Sequence, residues 1–408
     1  MKTIFNKYFL LGVALLFVGR SLGQKVTTKP TFHINFSGES SLSTPTADKP
    51  QSKLWYMDSY WWALLPDSLG PTLWQRTDEG WKEHPEISNK LRGIPGRADV
   101  WYENREITAV GVSDSSLYVF RMVPKSSSSV YWQAKILKSL KIPKKEPKIE
   151  TATIVKDAVG AWWVAADVGG GAIYVWGSKD AKHWSRGILI GENISADDIC
   201  SIAALKQSVI VIWSDQKNES VYCREHKNGQ PLDDWDAIQI VEAGNKTADD
   251  HINLAVSGDG TLWAATKNSL DKVGSPQLVM RIRNQEGSWR NFPYLDLTHD
   301  IGPSRPVVIT TPNPALVLEG HTVYDHRNKK RYSDRIAFGI IDTTSAGILI
   351  KQTEVIVPDT SLGIMINNVT GPKAAFPPDG PWIILASDRK GNIYEADLKP
   401  FFDRPGYR

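Results

Sequence analysis

A short pattern recurs seven times along this chain and constrains the fold more than any single motif. In each copy a run rich in Val, Ile, Ala and Trp meets a tight turn and then a second apolar run. Lys53-Leu-Trp-Tyr, turn, Trp61-Trp-Ala-Leu-Leu is answered by Asp99-Val-Trp-Tyr, turn, Ile107-Thr-Ala-Val-Gly. Five more copies begin at Thr151, Ser201, Ile252, Pro306 and Gly371. The turns fall near positions 58, 103, 157, 206, 257, 312 and 378, which leaves room in each unit for two further short strands. Four strands in a unit of about 50 residues is the pattern of a propeller blade. Amphipathic helical periodicity longer than two or three turns is missing. The expectation is an all-β, seven-bladed β-propeller with four short antiparallel strands per blade, spanning residues 53–400 and followed by a tail at 401–408.

The preceding residues divide in two. Lys2 and Lys7, an apolar stretch from Tyr8 to Val18, and Ser21-Leu22-Gly23 read as a cleaved signal peptide over 1–23, placing the protein in the periplasm or outside the cell. Residues 24–52 form an N-terminal segment. Its Phe32, Ile34 and Phe36 alternate and can give the last blade an outer strand, and the Ser/Thr/Pro-rich stretch 40–52 leads into blade one.

Composition removes several function classes. Among 408 residues, 48 Lys plus Arg nearly cancel 45 Asp plus Glu, unlike a dedicated nucleic-acid binder. No later segment approaches the roughly 20 apolar residues of a membrane span. Two cysteines, Cys200 and Cys223, provide neither a disulfide scaffold nor a Cys-rich zinc site. There is no phosphate-binding glycine loop, zincin helix or nucleophile elbow, and no cofactor or metal is expected. Sixteen Trp against eleven Phe suits an all-β protein that handles sugars.

In a propeller the first strand of every blade lines the central channel, so residues that begin those strands converge on one face. They include Arg97 and Asp99, Asp197 and Asp198, Asp249, Asp250 and His251, Arg305, and Asn367 and Asn368. An Asp that recurs at this position can simply cap a turn. Residues that break the repeat are better site candidates. His251 stands beside two carboxylates that can fix its tautomer. Arg305 and Arg97 can grip an anion bidentately, and Lys267 replaces the Asp found at the same place in other blades. Between the second and third strands of blade six, an insertion from His321 to Arg335 carries Tyr324, His326, Arg327 and further basic residues. A loop of this kind can hold an acidic polymer, or it can be solvated surface.

Gly96-Arg-Ala-Asp-Val-Trp101, Asp249-Asp-His-Ile-Asn253 and Ser304-Arg-Pro-Val307 resemble segments of the exported BNR-type seven-bladed propellers of carbohydrate-degrading bacteria. That group includes the ulvan lyases of polysaccharide lyase families 24 and 25 and a related rhamnosidase family. Ser257-Gly-Asp-Gly-Thr-Leu-Trp263 resembles a degenerate sialidase-type Asp box, a structural turn. The lyases use two histidines from adjacent blades with Tyr and Arg nearby. His251 and Arg305 match that set, without a closely spaced second His.

The resemblance implies an enzyme performing β-elimination on uronic-acid-containing oligosaccharides or polysaccharides, sulfated (ulvan-like) ones included, as a lyase or dehydratase and as a monomer. Catalysis would fall to His251, Arg305, His321, Tyr324 and His326, and substrate binding to Arg97, Asp198, Asp250, Lys267 and Arg327. Two alternatives stay open: glycoside hydrolysis by carboxylates such as Asp198 and Asp250, and a non-catalytic glycan-binding propeller.

Overall fold

A computed structural model describes residues 27–36, 44–46, 49–125, 132–145, 147–169, 171–325, 334–342, 348–359 and 365–403. Its strands form seven four-stranded antiparallel sheets arranged as a closed β-propeller. The two described helices, Pro85–Ser88 and Lys399–Phe402, are single turns. Among the described residues no helix is long and apolar enough to cross a membrane.

The apolar runs are nearly unbroken because each sheet is covered on both faces by neighbouring blades. In the second strand of blade one, Tyr60–Pro66, Trp61, Ala63 and Leu65 pack with blades six and seven. The intervening Trp62 and Leu64 pack with Val100, Ala109 and Phe120 of blade two. The period of two thus sends alternate side chains into two different cores. Trp62 meets Trp132 edge-on with ring centroids 4.9 Å apart. Cys200 and Cys223 are unpaired and buried, and burial pushes the Cys223 thiol up to about 12.

Recurring Asp residues build the turns. In Ser257–Trp263, Asp259 accepts the Thr261 N–H at 2.9 Å, and the Trp263 indole donates to Ser257 Oγ at 3.1 Å. Asp157 does the same work in blade three, taking the Ala161 N–H and the Trp163 indole. Asp67, Asp167, Asp215 and Asp388 each accept backbone N–H groups near the ends of second strands.

The ring closes through the N-terminal segment. Phe32–His33 pairs antiparallel with Ile393 and Asn392, completing blade seven from outside. Phe32 also packs on Trp74 and Trp81 of blade one, which ties the last blade to the first. The same segment then reaches the axis. Thr46 N–H donates to Ser387 Oγ at 2.9 Å, the Gln51 amide to the Ala152 carbonyl at 2.9 Å, and buried Lys53 to Gln51 Oε1 at 2.8 Å. The Ser52 and Ile154 N–H groups share the carboxylate of buried Asp99, which also pairs with Lys373. Residues 49–53 therefore lie across the channel, bonded to blades two, three, five and seven.

Candidate functional site

At the mouth where the first strands begin, His251 precedes the first strand of blade five, Ile252–Val256. Its Nδ1 lies 2.5 Å from Asp249 Oδ1 and 2.6 Å from Asp250 Oδ1. Its Nε2 lies 2.7 Å from Nη1 of Arg305, from the next blade. A guanidinium can only donate, so Nε2 is the acceptor and the ring proton belongs on Nδ1, facing the carboxylates.

Each carboxylate also has a lysine partner. Lys267 Nζ is 2.7 Å from Asp249 Oδ2. Lys49, from the axial segment, pairs with Asp250 and lies 2.6 Å from Glu150 Oε1. Burial alone would raise the Asp250 carboxyl, but His251 and Lys49 hold it well below the ordinary carboxylate range. Burial would lower the Lys49 ammonium; Asp250 and Glu150 reverse that and raise it. Arg97 belongs to the same mouth, donating to the Glu150 carbonyl oxygen at 3.1 Å and to Asp114 at 3.2 Å.

The backbone is bent to bring Arg305 here. The pairing of Ile301–Thr310 with Val317–Asp325 slips between Ser304 and Val307, a bulge that holds Arg305. Arg305 takes a left-handed φ of 54°, which costs a non-glycine residue of order 1–3 kcal/mol. Its Nε donates to Asn367 Oδ1, which also accepts the Asn368 N–H at 3.0 Å. Asn368 too has a positive φ, 44°, beside a second register shift.

Tyr324 and Asp334 complete the group. The Tyr324 hydroxyl is bonded to Ser304, and burial raises its pKa, with Arg305, Asp334 and Asp250 all acting on it. Asp334 is buried, and neither carboxyl oxygen has a hydrogen-bond partner among the described residues. Burial pushes it up to about 7 against the opposing charges of Arg305, Arg335 and Arg389. Two carboxyls around one tyrosine are thereby driven in opposite directions.

Several expected site residues lie elsewhere. His321 is not in a loop: the second strand of blade six runs on to Asp325, and His321 pairs with Ala337 inside the sheet. Its Nδ1 lies 3.0 Å from Glu319 and its Nε2 2.8 Å from Gln352, so a wholly buried ring has no nitrogen left for substrate. Glu319 accepts in turn from Tyr294 of blade five at 2.8 Å. Asp198 is a turn clasp, accepting the N–H groups of Ser195 at 2.7 Å and Gln216 at 3.1 Å. His326 and Arg327 lie outside the described residues, as does the leader 1–23. The residues that the repeat pattern did not single out are Lys49 and Asp334. For Lys49 a signal existed: Thr46-Ala-Asp-Lys49 echoes Ser195-Ala-Asp-Asp198 and Thr247-Ala-Asp-Asp250.

Asp249, Asp250 and His251 bring ligand atoms within 4.8 Å of one another and could hold a cation. Lys49 and Lys267 already supply positive charge to the same carboxylates, so a metal would have to compete with both.

No protein-family model matches the chain, and no curated protein does. Solved structures do. The BBS1N domain crystallised in complex with ARL6DN is similar over 91% of this chain and 98% of its own, at 12% identity and TM-score 0.50. The GH93 α-L-arabinofuranosidase of Fusarium graminearum, complexed with arabinobiose, is similar over 74% of this chain and 93% of its own, at 11% identity and TM-score 0.45. Trypanosoma rangeli sialidase with the inhibitor DANA is similar over 73% of this chain and 56% of its own, at 9% identity and TM-score 0.44. At 12% identity the likeness to BBS1N concerns the fold alone.

Proposed function

We propose that this propeller is a carbohydrate-active enzyme that hydrolyses glycosidic bonds at the His251 mouth. The observation that carries the reading is the split between two carboxyls near Tyr324: Asp334 is pushed up to about 7 and Asp250 is held low. Titratable pairs separated in this way mark an acid and its ionised counterpart. Asp334 gives its proton to the departing glycosidic oxygen. Asp250, fixed by His251 and Lys49, stabilises the positive charge that grows on the sugar and orients the attacking water. Tyr324, whose hydroxyl is bonded to Ser304, feels the charge of both.

The charges at the mouth favour a glycan of low charge. Lys49, Lys267 and Arg305 face Asp249, Asp250, Glu150 and Asp197, so no large surplus of positive charge awaits an acidic polymer. An exported location rests on the leader sequence alone. The test is release of reducing ends from a panel of neutral oligosaccharides, with products that gain no ultraviolet absorbance. Asp334→Asn and Asp250→Asn should each lower turnover by about 10²–10⁴-fold; turnover that ignores Asp334→Asn sinks the assignment.

One observation favours β-elimination as a second reading. Arg305 rests on His251 Nε2, so a uronate carboxylate that drew the guanidinium away would leave that nitrogen free to take the neighbouring C–H proton. Tyr324 would then protonate the leaving oxygen. Uronate oligosaccharides would gain an ultraviolet band from the new conjugated C=C bond.

A further inference from the structure

The opposite mouth of the channel differs sharply in character. Beneath the ends of the first strands of blades one and two lies a cavity of about 500 Å³, lined by Trp55, Tyr56, Trp61, Trp101, Tyr102 and Phe376. Its size falls within the roughly 300–1,000 Å³ of small-molecule sites. The wall is braced: the Trp61 indole donates to the Pro381 carbonyl at 2.8 Å, Tyr56 packs on Trp61, and Phe376 stacks on Trp382. Preformed rings lose little freedom when a ligand arrives.

We propose that this cavity is a second binding site, taking a neutral saccharide of about two rings, separate from the His251 centre. Two properties select that ligand. The half-buried rings of Tyr56, Trp101 and Tyr102 offer flat faces that suit the C–H face of a sugar ring, with Trp55, Trp61 and Phe376 buried behind them. The cation in the lining, Lys373, is engaged by Asp99 and by the Ile154 carbonyl at 2.8 Å, and the exposed carboxylate of Asp379 repels an anion while it can accept from sugar hydroxyls. None of the residues that line this cavity belongs to the His251 centre, so the two sites should fill independently.

Calorimetric titration of the full chain with cellobiose, lactose, maltose and arabinobiose tests the site, with tetramethylammonium as the rival occupant of an aromatic cage. At least one disaccharide should bind wild type and His251→Ala alike. Ala375→Trp, a change in an exposed loop residue that lines the cavity, should weaken that binding at least tenfold. Trp101→Ala should weaken it roughly tenfold, the effect of losing one well-placed ring. Silence from all four sugars, capture of tetramethylammonium instead, or binding lost with His251→Ala and kept in Ala375→Trp overturns the proposal. Because the readout is binding heat, failure here leaves the hydrolytic reading standing, and the reverse also holds.

Discussion

Arg305 Nη1 sits 2.7 Å from His251 Nε2, joining two blades through a nitrogen that a general base would need. The contact assigns the imidazole proton to Nδ1, between Asp249 and Asp250. Nitrogen-15 NMR of the histidine rings should show that tautomer for His251, and Arg305→Ala should perturb its Nε2 resonance. A tautomer protonated at Nε2 contradicts the contact.

The left-handed backbone at Arg305 makes a separate prediction about stability. Arg305→Gly and Arg305→Ala lose the same side chain, but only alanine keeps a Cβ at a φ that disfavours it. The glycine variant should be more stable by about 1 kcal/mol in urea unfolding, while both are equally impaired in turnover.

Asp334 links activity and stability to pH. Its carboxyl is raised to about 7, so the folded protein holds a proton there that the unfolded chain gives up near 4. The contribution is in place below pH 4 and is lost as pH rises through about 7. Turnover should decline over the same upper range as the acid ionises. Relative to Asp334→Asn, wild type should lose roughly 1–3 kcal/mol between pH 5 and 8. Asp167, also buried and raised to about 7, contributes with the same sign and stays in both proteins, so only the difference between them reports Asp334.

Lys49 holds Asp250 and Glu150 at once, with only 11% of its side chain exposed. Lys49→Met leaves two carboxylates facing each other without their cation and should cost about 2–4 kcal/mol of stability, since breaking a buried pair strands the remaining charge. Turnover should fall more than substrate affinity does, and Lys49→Arg should restore part of it. Unchanged unfolding midpoints for Lys49→Met would show the pair to be idle.

The architecture was legible because a period-two strand and its Asp-clasped turn are local features, and seven copies leave few other ways to bury so many tryptophans. His251 and Arg305 could be matched by position, since each breaks the repeat where the first strands begin. His321 could not: in sequence it opens a basic insertion, but the partner strand Arg335–Asp342 extends the sheet past it and buries its ring against Glu319. Asp198 and Asp250 occupy equivalent phrases, and only tertiary neighbours separate them. The first finds backbone N–H groups, the second a lysine and a histidine. Asp334 was hidden because its raised pKa is a property of burial beside Arg305, which no spacing encodes.

The strand that zips blade seven and the lysine that steadies Asp250 are carried by one stretch of chain. A molecule whose circle has not yet shut therefore also lacks the cation that holds Asp250 ionised. Assembly acts as its own safety catch, since the ring and the His251 cluster are completed by the same step.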